Sequence, residues 1–392
     1  MSYSLKRKIY RMLAGVYVLL FRRRRLHGNA VDILIIHGNA IGRSRMQKLK
    51  DRLLTNGYSI KRIIIHSPSE ILRKRKLFRL DSEAPLDYKF LEYYSGYLVK
   101  YYNPKIIICS LDSNPLAIFL KRHLNITGGK LVNLAHGITC ATELFRVFHF
   151  HYYFVYGDMS VDSVKRQSIR YGETKLVPSG SYFIEEDFTL PINREMKKLL
   201  FFSSSSSHHL YGEALRESFL MLAKWANSQD RYHLYIKHHP IEDPSVIKSI
   251  FKDITNVTFL PSSMNIKDSM RDVSAVINGW STASIEAALM NRPTVILNPL
   301  DVEDFPELQR YYGKNSRTPE ELSENIAELF DNYDHYLEVN KSFVARHLYR
   351  STDSIKYIAD CIDSIVKGRE DFETVPVTET IDYFTDMSKG SS

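Results

Sequence analysis

Short, almost entirely apolar runs alternate with longer amphipathic segments along most of this 392-residue chain. Residues 33–37, 105–109 and 130–134 are examples of these runs. A strand that is apolar at nearly every position is buried on both faces, which is typical of a parallel sheet covered by helices. The alternation therefore predicts an α/β protein built on parallel sheets.

A polar break at residues 191–195 divides the alternation into two series. Because 392 residues exceed what one ordinary core holds, we predict two Rossmann-like domains, over residues 28–190 and 195–345. Their parallel sheets are expected to face each other across a cleft at the carboxyl ends of the strands. We further expect a C-terminal helix over 346–368 and a flexible, acidic and polar tail over 369–392.

The net charge of +8 is concentrated at the N-terminus, where eight basic residues and no acid precede residue 26. The remaining chain is close to neutral, which argues against a nucleic-acid partner. The three cysteines, Cys109, Cys140 and Cys361, are scattered. They indicate neither a disulfide framework nor a zinc site, and they fit a reducing cytoplasm.

Residues 1–27 are predicted to form a basic amphipathic helix. Its apolar part, residues 9–21, is too short to cross a hydrocarbon core, which needs roughly 20 residues. It also lacks the small-residue cleavage site of a signal peptide. We therefore expect residues 5–25 to lie on an anionic inner-membrane surface, which predicts a cytoplasmic protein peripheral to that membrane. The alternative is an ordinary packed helix with a solvated basic end.

The motif that runs from Gly279 to Glu286 follows an apolar strand and passes directly into a helix. Hydroxyl groups at Ser281, Thr282 and Ser284 would stand beside the unpaired N–H groups at the positive end of the helix dipole, where phosphate binds readily. Gly279 would let a ligand approach the backbone closely, and Glu286 could meet a ribose. The alternative is that Ser281 is a plain helix N-cap with nothing bound.

A second motif, Lys237-His-His-Pro240, ends another strand of the same domain and resembles a phosphate clamp. Side chains alternate along a strand, so only one of its two histidines should face the ligand. We favour His239, next to Pro240, and the alternative is two surface histidines. A serine run after a third strand is either a phosphate loop or a flexible polar loop; its candidates are Ser203, Ser204 and Ser205.

In the first domain, His136 and Gly137 follow an apolar strand. Histidine has an unperturbed pKa that suits a general base near neutral pH, although a strand-end histidine can also be purely structural. His37 and Gly38 belong to a turn that we assign to the acceptor side, together with Gly137. No Asp-x-Asp element follows a strand, so we expect no metal and no cofactor.

In this order, the motifs resemble GT-B glycosyltransferases of bacterial surface polysaccharide synthesis. The similar groups are capsule polysaccharide transferases, sialyl- and polysialyltransferases, and polyglycerolphosphate transferases, and the resemblance spans about residues 30 to 350. It implies that His239, Pro240, Ser281 and Thr282 bind the phosphate of a cytidine nucleotide donor, and that His136 is the base.

The chain departs from these groups in two places. Ile138 and Thr139 follow the His-Gly element where the teichoic-acid enzymes have Thr-Pro. The acidic residues from Glu185 to Asp187 are not followed by the glycine of the polysialyltransferase element.

The motifs and the resemblance together predict an inverting, metal-independent glycosyltransferase of capsule or lipooligosaccharide synthesis. It would transfer a sugar from a nucleotide-activated, CMP-linked donor to a lipid-linked or oligosaccharide acceptor. The alternatives are a CDP-glycerol-type glycerophosphotransferase, a nucleotide-sugar 2-epimerase or sugar hydrolase, and a non-catalytic accessory protein of polysaccharide export.

Overall fold

The computed structural model of the protein describes residues 28–38, 44–78, 88–112, 114–140, 145–184, 186–203, 209–238, 244–384 and 386, with single positions 9, 12, 13, 16 and 26. The chain divides into two compact units. The first unit consists of Met1–Phe183 with Asp353–Ser392, and the second of Ile184–Thr352. The first change of unit falls close to the predicted polar break, whereas the return of the C-terminal residues to the first unit was not predicted.

The elements of the first unit before residue 184 are β1 (Ile33–His37), α1 (Gln47–Thr55), β2 (Ile60–Ile64), α2 (Pro68–Arg73), α3 (Lys89–Tyr102), β3 (Ile106–Cys109), α4 (Leu116–Thr127), β4 (Lys130–Leu134), β5 (Tyr152–Val155), α5 (Asp158–Arg166) and β6 (Thr174–Pro178). The second unit contains β7 (Lys198–Phe202), α6 (His209–Asn227), β8 (His233–Lys237), α7 (Pro244–Ile250), β9 (Val257–Phe259), α8 (Ile266–Met270), β10 (Ala275–Asn278), α9 (Ala283–Leu289), β11 (Thr294–Leu297), α10 (Leu308–Tyr312), β12 (Asn315–Ser316), α11 (Pro319–Asp331) and α12 (Tyr333–His347). The returning segment adds α13 (Ser354–Val366) and β13 (Val375–Val377).

The sheet of the first unit has the order β13-β6-β5-β4-β3-β1-β2. Its strand pairs are parallel except for β13, which runs antiparallel to β6. The side chains of alternate residues of β1 point to opposite faces of the sheet. Those of Ile33 and Ile35 pack in a cluster with apolar residues of α1 and α13. Every residue of β1, β3 and β5 is buried, as expected for strands covered on both sides.

The sheet of the second unit has the order β12-β11-β10-β7-β8-β9, with parallel pairing throughout. Leu199 and Phe201 of β7 pack with α6 and α11 on one face. Leu200 and Phe202 pack with residues of α8 and α9 on the other. Apolar side chains on both faces explain why this strand is apolar at four consecutive positions.

In each sheet, the order in which successive strands are added reverses at one point, called the topological switch point. In the first unit the chain moves outward from β1 to β2 and then returns to place β3 on the other side of β1. In the second unit β7 is flanked in the same way by β8 and β10. Ligands of open α/β sheets bind outside the carboxyl ends of the strands at such switch points, so these two edges are where the candidate site residues matter most.

The segment that we predicted as a flexible tail, residues 369–392, is partly ordered. Strand β13 extends the sheet at β6, and Tyr383 and Phe384 then pack edge-on against Tyr88, with ring centroids 6.0 and 5.2 Å apart. These aromatic side chains stand among acidic and polar neighbours, and composition alone does not reveal that they bury apolar surface. Residues 385 and 387–392 lie outside the described residues.

Four positions of the predicted N-terminal helix are described as helical: Ile9, Met12, Leu13 and Val16. Their side chains are between 37% and 57% exposed, and their spacing places them on one helical face. The basic residues predicted to accompany them lie outside the described residues. Within the part of the chain that the structure describes, no helix combines the length and apolarity needed to cross a bilayer.

Candidate functional site

A buried carboxylate lies at the carboxyl end of β3 in the first unit. Asp112 is 8% exposed, and its Oδ1 accepts hydrogen bonds from Asn133 Nδ2 at 2.6 Å and from the Tyr153 hydroxyl at 2.7 Å. Asn133 is oriented because its Oδ1 accepts the backbone N–H of Leu111 at 2.8 Å. The carboxylate is therefore held by side chains of β4 and β5.

His136 stands beside this carboxylate, two residues beyond the end of β4. Its Nδ1 lies 2.5 Å from Asp112 Oδ2, and 58% of its side chain is exposed. An ionised carboxylate only accepts hydrogen bonds, so Nδ1 carries the proton and Nε2 is the basic nitrogen of the neutral ring. No described residue forms a hydrogen bond with Nε2, which leaves it available to a substrate.

The electrostatics of the pair favour a basic imidazole. The hydrogen bond to Asp112 raises the pKa of His136 above its ordinary value of 6.5, and the charge of Asp112 adds to this effect. Partial burial and the charge of Arg45 lower this pKa and only partly offset the rise. A carboxylate that orients a histidine and stabilises its protonated form is the arrangement used in general-base catalysis.

Sequence reasoning found His136 but missed Asp112 and the role of Tyr153. One available signal was that Asp112 closely follows the apolar run at 105–109, just as His136 follows the next run. Tyr153 gave no signal, since it lies inside an apolar strand. His37 is the last residue of β1 and is 1% exposed. The assignment of His37, Gly38 and Gly137 to the acceptor side stays a prediction.

The turn between β10 and α9 is organised by Asn278, which is buried at the end of β10. Its amide nitrogen donates to the carbonyl of Ser281 at 2.7 Å and to the Ser284 hydroxyl, and its oxygen accepts the N–H of Ser281 at 3.0 Å. Ser284 is fully buried. Its hydroxyl therefore supports the turn, which corrects the prediction that it points outward toward a ligand.

Ser281 and Thr282 are half-buried at the start of α9. The Ser281 hydroxyl accepts the N–H of Ala283 at 3.3 Å, whereas the Thr282 side chain makes no capping hydrogen bond. Helix α9 has only seven residues, so its dipole is smaller than the motif suggested. Glu286 is buried on this helix, and its ribose contact stays a prediction.

Gly279 is needed for packing, and its predicted role in the approach of a ligand stays a prediction. A Cβ at this position would lie 2.5 Å from the backbone oxygen of Leu297. We expect Gly279→Ala to destabilise the protein by about 1–3 kcal/mol, because a backbone atom cannot move aside as a side chain can. Urea unfolding measures the effect, with Gly38→Ala as the control because a Cβ there meets nothing within 4 Å. Equal unfolding midpoints for the two variants would contradict the close approach.

Lys237 ends β8 and is 9% exposed. Its ammonium lies 3.3 Å from the carbonyl of Ser262 and 3.5 Å from that of Pro261, and burial lowers its pKa. The next residue, His238, is also buried, and its Nδ1 has no partner among the described residues. Burial, followed by the charges of Lys237 and Lys248, lowers the pKa of His238 and favours the neutral ring.

The histidine that we favoured, His239, lies outside the described residues, as do Pro240, Ser204 and Ser205. Ser203 is buried, and its N–H donates to the carbonyl of Lys237 at 3.2 Å. The second unit thus brings Ser203, Lys237 and the β10–α9 turn to the carboxyl ends of β7, β8 and β10. Among the described residues, no group of three or more His, Cys, Asp or Glu side chains could hold a metal ion.

No family model and no curated protein matches the chain. It is similar to a solved structure assigned as a UDP-N-acetylglucosamine 2-epimerase from Listeria monocytogenes, with a TM-score of 0.58 and 13% identity over 87% of this chain and 98% of that one. It is also similar to UDP-GlcNAc 2-epimerase from Neisseria meningitidis bound to UDP-GlcNAc (TM-score 0.54, 11% identity, 84% and 99%). A third similar structure is the wall teichoic acid polymerase TagF (TM-score 0.50, 11% identity, 94% and 99%).

The chain has a GT-B-type fold. This confirms the predicted fold class of two α/β units with parallel sheets. The solved structures similar to it include UDP-GlcNAc 2-epimerases and a wall teichoic acid polymerase. Identities of 11–13% show a shared GT-B-type fold and no more, because one fold serves many activities.

Proposed function

We propose that this protein is a nucleotide-sugar glycosyltransferase in which His136 is the general base. The observation that carries the proposal is the pair formed by His136 and Asp112, with Asp112 buried and held by Asn133 and Tyr153. A surface histidine with no catalytic role does not need a buried carboxylate with two further donors. The exposed ring, at the carboxyl end of the strand next to the switch point, fits a group that acts on a bound substrate.

In the proposed reaction, Nε2 of His136 takes the proton of an acceptor hydroxyl as its oxygen attacks the anomeric carbon of the donor sugar. The bond from that carbon to the nucleotide phosphate breaks, and the phosphate leaves with the electron pair. Asp112 stabilises the imidazolium that forms. A single displacement inverts the anomeric centre. Metal independence is part of the proposal, and turnover that persists in excess EDTA tests it.

The second unit supplies the proposed donor site. Lys237 is a cation at the switch point, and Ser281 and Thr282 offer half-exposed hydroxyls at the same edge. The full set of proposed donor contacts adds Gly279 and Glu286, together with the undescribed His239, Pro240, Ser204 and Ser205. Ser284 is not among these contacts, because its buried hydroxyl supports the turn. We propose a CMP-linked donor, although the structures of similar fold include one bound to UDP-GlcNAc.

Titration calorimetry with CMP, CDP, UDP and GDP identifies the nucleotide, and we expect CMP to bind most tightly. Lys237→Met should weaken the affinity by about 10- to 150-fold, because a charged contact to phosphate is worth roughly 1.5–3 kcal/mol. Lys252→Met is the matched control, since Lys252 is an exposed lysine of the same unit. Binding of none of the four nucleotides would exclude a nucleotide-sugar enzyme.

A nucleotide-sugar 2-epimerase is the second candidate function, favoured by the fold similarity to enzymes of that name. A base such as His136 could equally remove a proton from carbon. The two functions separate when a nucleotide sugar is incubated with the protein in the absence of acceptor. Epimerised nucleotide sugar would establish the second function, whereas a transferase requires the acceptor.

We also propose that the acceptor is a lipid-linked or oligosaccharide glycan of bacterial surface polysaccharide synthesis, and that residues 5–25 hold the protein at an anionic membrane surface. The exposed apolar face of Ile9, Met12, Leu13 and Val16 supports this contact. The full chain should float with vesicles that contain phosphatidylglycerol, and Leu13→Glu should reduce flotation. Equal flotation with neutral vesicles would rule out the proposed charge dependence.

A further inference from the structure

Arg45 precedes α1, in the segment that follows β1. Its guanidinium carbon lies 4.9 Å from the centre of the Phe183 ring. A planar guanidinium that rests against an aromatic ring is oriented by its face, while its N–H donors point outward along its edges. The contact with Phe183 therefore attracts Arg45 to this position without using its hydrogen-bonding capacity.

No carboxylate of the described residues forms an ion pair with Arg45. Other arginines of the molecule do have such partners, including Arg271 with Asp268 and Arg310 with Glu307. Guanidinium carries five donors and no acceptor, in a fork that matches a carboxylate or a phosphate. Arg45 thus has the chemistry of an oxyanion site.

The location of Arg45 connects it to the reacting group. The charge of Arg45 lowers the pKa of His136, whereas Asp112 raises that pKa by a larger amount. Burial raises the pKa of Tyr182, and the charge of Arg45 acts in the opposite direction. Arg45 and Asp112 follow β1 and β3, the two strands that flank the switch point of the first unit. Since β1, β3 and β4 pair in parallel, an anion bound by Arg45 would lie at the same edge of the sheet as His136.

We propose that Arg45 binds an oxyanion of the substrate that reacts at His136, so that the acceptor is anionic. The anion is either the carboxylate of an acidic sugar or a phosphate group on the acceptor. This inference rests on the proposed function, because it concerns the substrate from which His136 takes a proton. It narrows the acceptor class from any glycan to one that carries negative charge close to the attacking hydroxyl.

The test follows the imidazole of His136 by NMR titration, with inorganic phosphate and glucuronate as separate probes at matched ionic strength. A bound anion offsets the charge of Arg45, so the midpoint of His136 should rise by about half a pH unit or more. Arg45→Met should abolish the response. Arg45→Lys, which keeps the charge but loses the fork, should weaken it. Arg52→Met is the control, because Arg52 is an exposed arginine on α1.

A shift of the His136 midpoint with glucuronate alone identifies an acceptor that contains an acidic sugar. A shift with phosphate alone identifies a phosphorylated acceptor. A shift with both probes shows that Arg45 binds oxyanions of either kind. The proposal is overturned if neither probe moves His136, or if the shift persists in Arg45→Met and Arg45→Lys. The titration requires no turnover. Its failure is therefore distinct from failure of the proposed function, which shows as undiminished transfer by a His136 variant.

Discussion

His136→Ala is expected to lower kcat for sugar transfer by about 10²–10⁴-fold, the usual contribution of a positioned general base. The variant loses Nε2, whereas the donor contacts of the second unit are unchanged. Steady-state kinetics with saturating donor and acceptor measure the loss, and calorimetry should give the same nucleotide affinity for variant and wild type. His335→Ala, which removes an exposed histidine, should transfer at the wild-type rate.

The pattern of loss matters as much as its size. A kcat that survives His136→Ala would remove His136 as the base and leave the donor-site proposal intact. A parallel loss of nucleotide affinity and kcat would instead indicate that the substitution disturbs the fold. Circular dichroism and urea unfolding of His136→Ala distinguish that case. At about pH 8.5, where the raised pKa of His136 no longer contributes stability, removal of this largely exposed side chain should cost little.

Asp112→Asn is expected to lower kcat by up to about 10⁴-fold, because an amide cannot stabilise the imidazolium and can hold the ring in the wrong tautomer. Its NH₂ group can donate to Nδ1, which places the ring proton on Nε2. The substitution keeps the size of the side chain and an oxygen that can accept from Asn133 and Tyr153, and it replaces the oxygen that faces His136. Asp360→Asn, an exposed carboxylate on α13, is the matched control and should remain active.

The pH dependence of transfer by Asp112→Asn tests the same pair, because the direction in which the midpoint shifts is enough to decide the role of Asp112. In the wild type, transfer should rise with pH through a midpoint above 6.5, since His136 must be neutral and Asp112 raises its pKa. Residual transfer by Asp112→Asn should rise through a lower midpoint. A midpoint unchanged or shifted upward would contradict the assigned role of Asp112.

The raised pKa of His136 also predicts how the free energy of unfolding depends on pH. A histidine pKa that is raised by folding contributes stability below the unfolded value, and that contribution disappears as the pH rises through the folded value. Loss of Asp112 should therefore destabilise the protein more at about pH 5.5 than at about pH 8.5. Urea unfolding of wild type and Asp112→Asn at the two pH values measures the difference.

Local patterns predicted the strands well because burial on both faces demands apolar residues at consecutive positions. The run at 33–37, for example, coincides with β1. The aromatic C-terminal segment escaped prediction for the opposite reason. Tyr383 and Phe384 pack against aromatic residues that lie far away in the chain, including Tyr88 and Tyr171.

The sequence by itself determined the alternation that specifies parallel sheets, and it placed His136 and Lys237 at the carboxyl ends of strands. Strand pairing decided which groups meet there. Asp112 and His136 are 24 residues apart in the chain, and they form a pair because β3 and β4 lie side by side. Likewise, only packing shows that Ser284 supports a turn and that Gly279 makes room for a backbone oxygen. Contacts of this kind depend on distances between remote segments, and no local pattern of residue types encodes those distances.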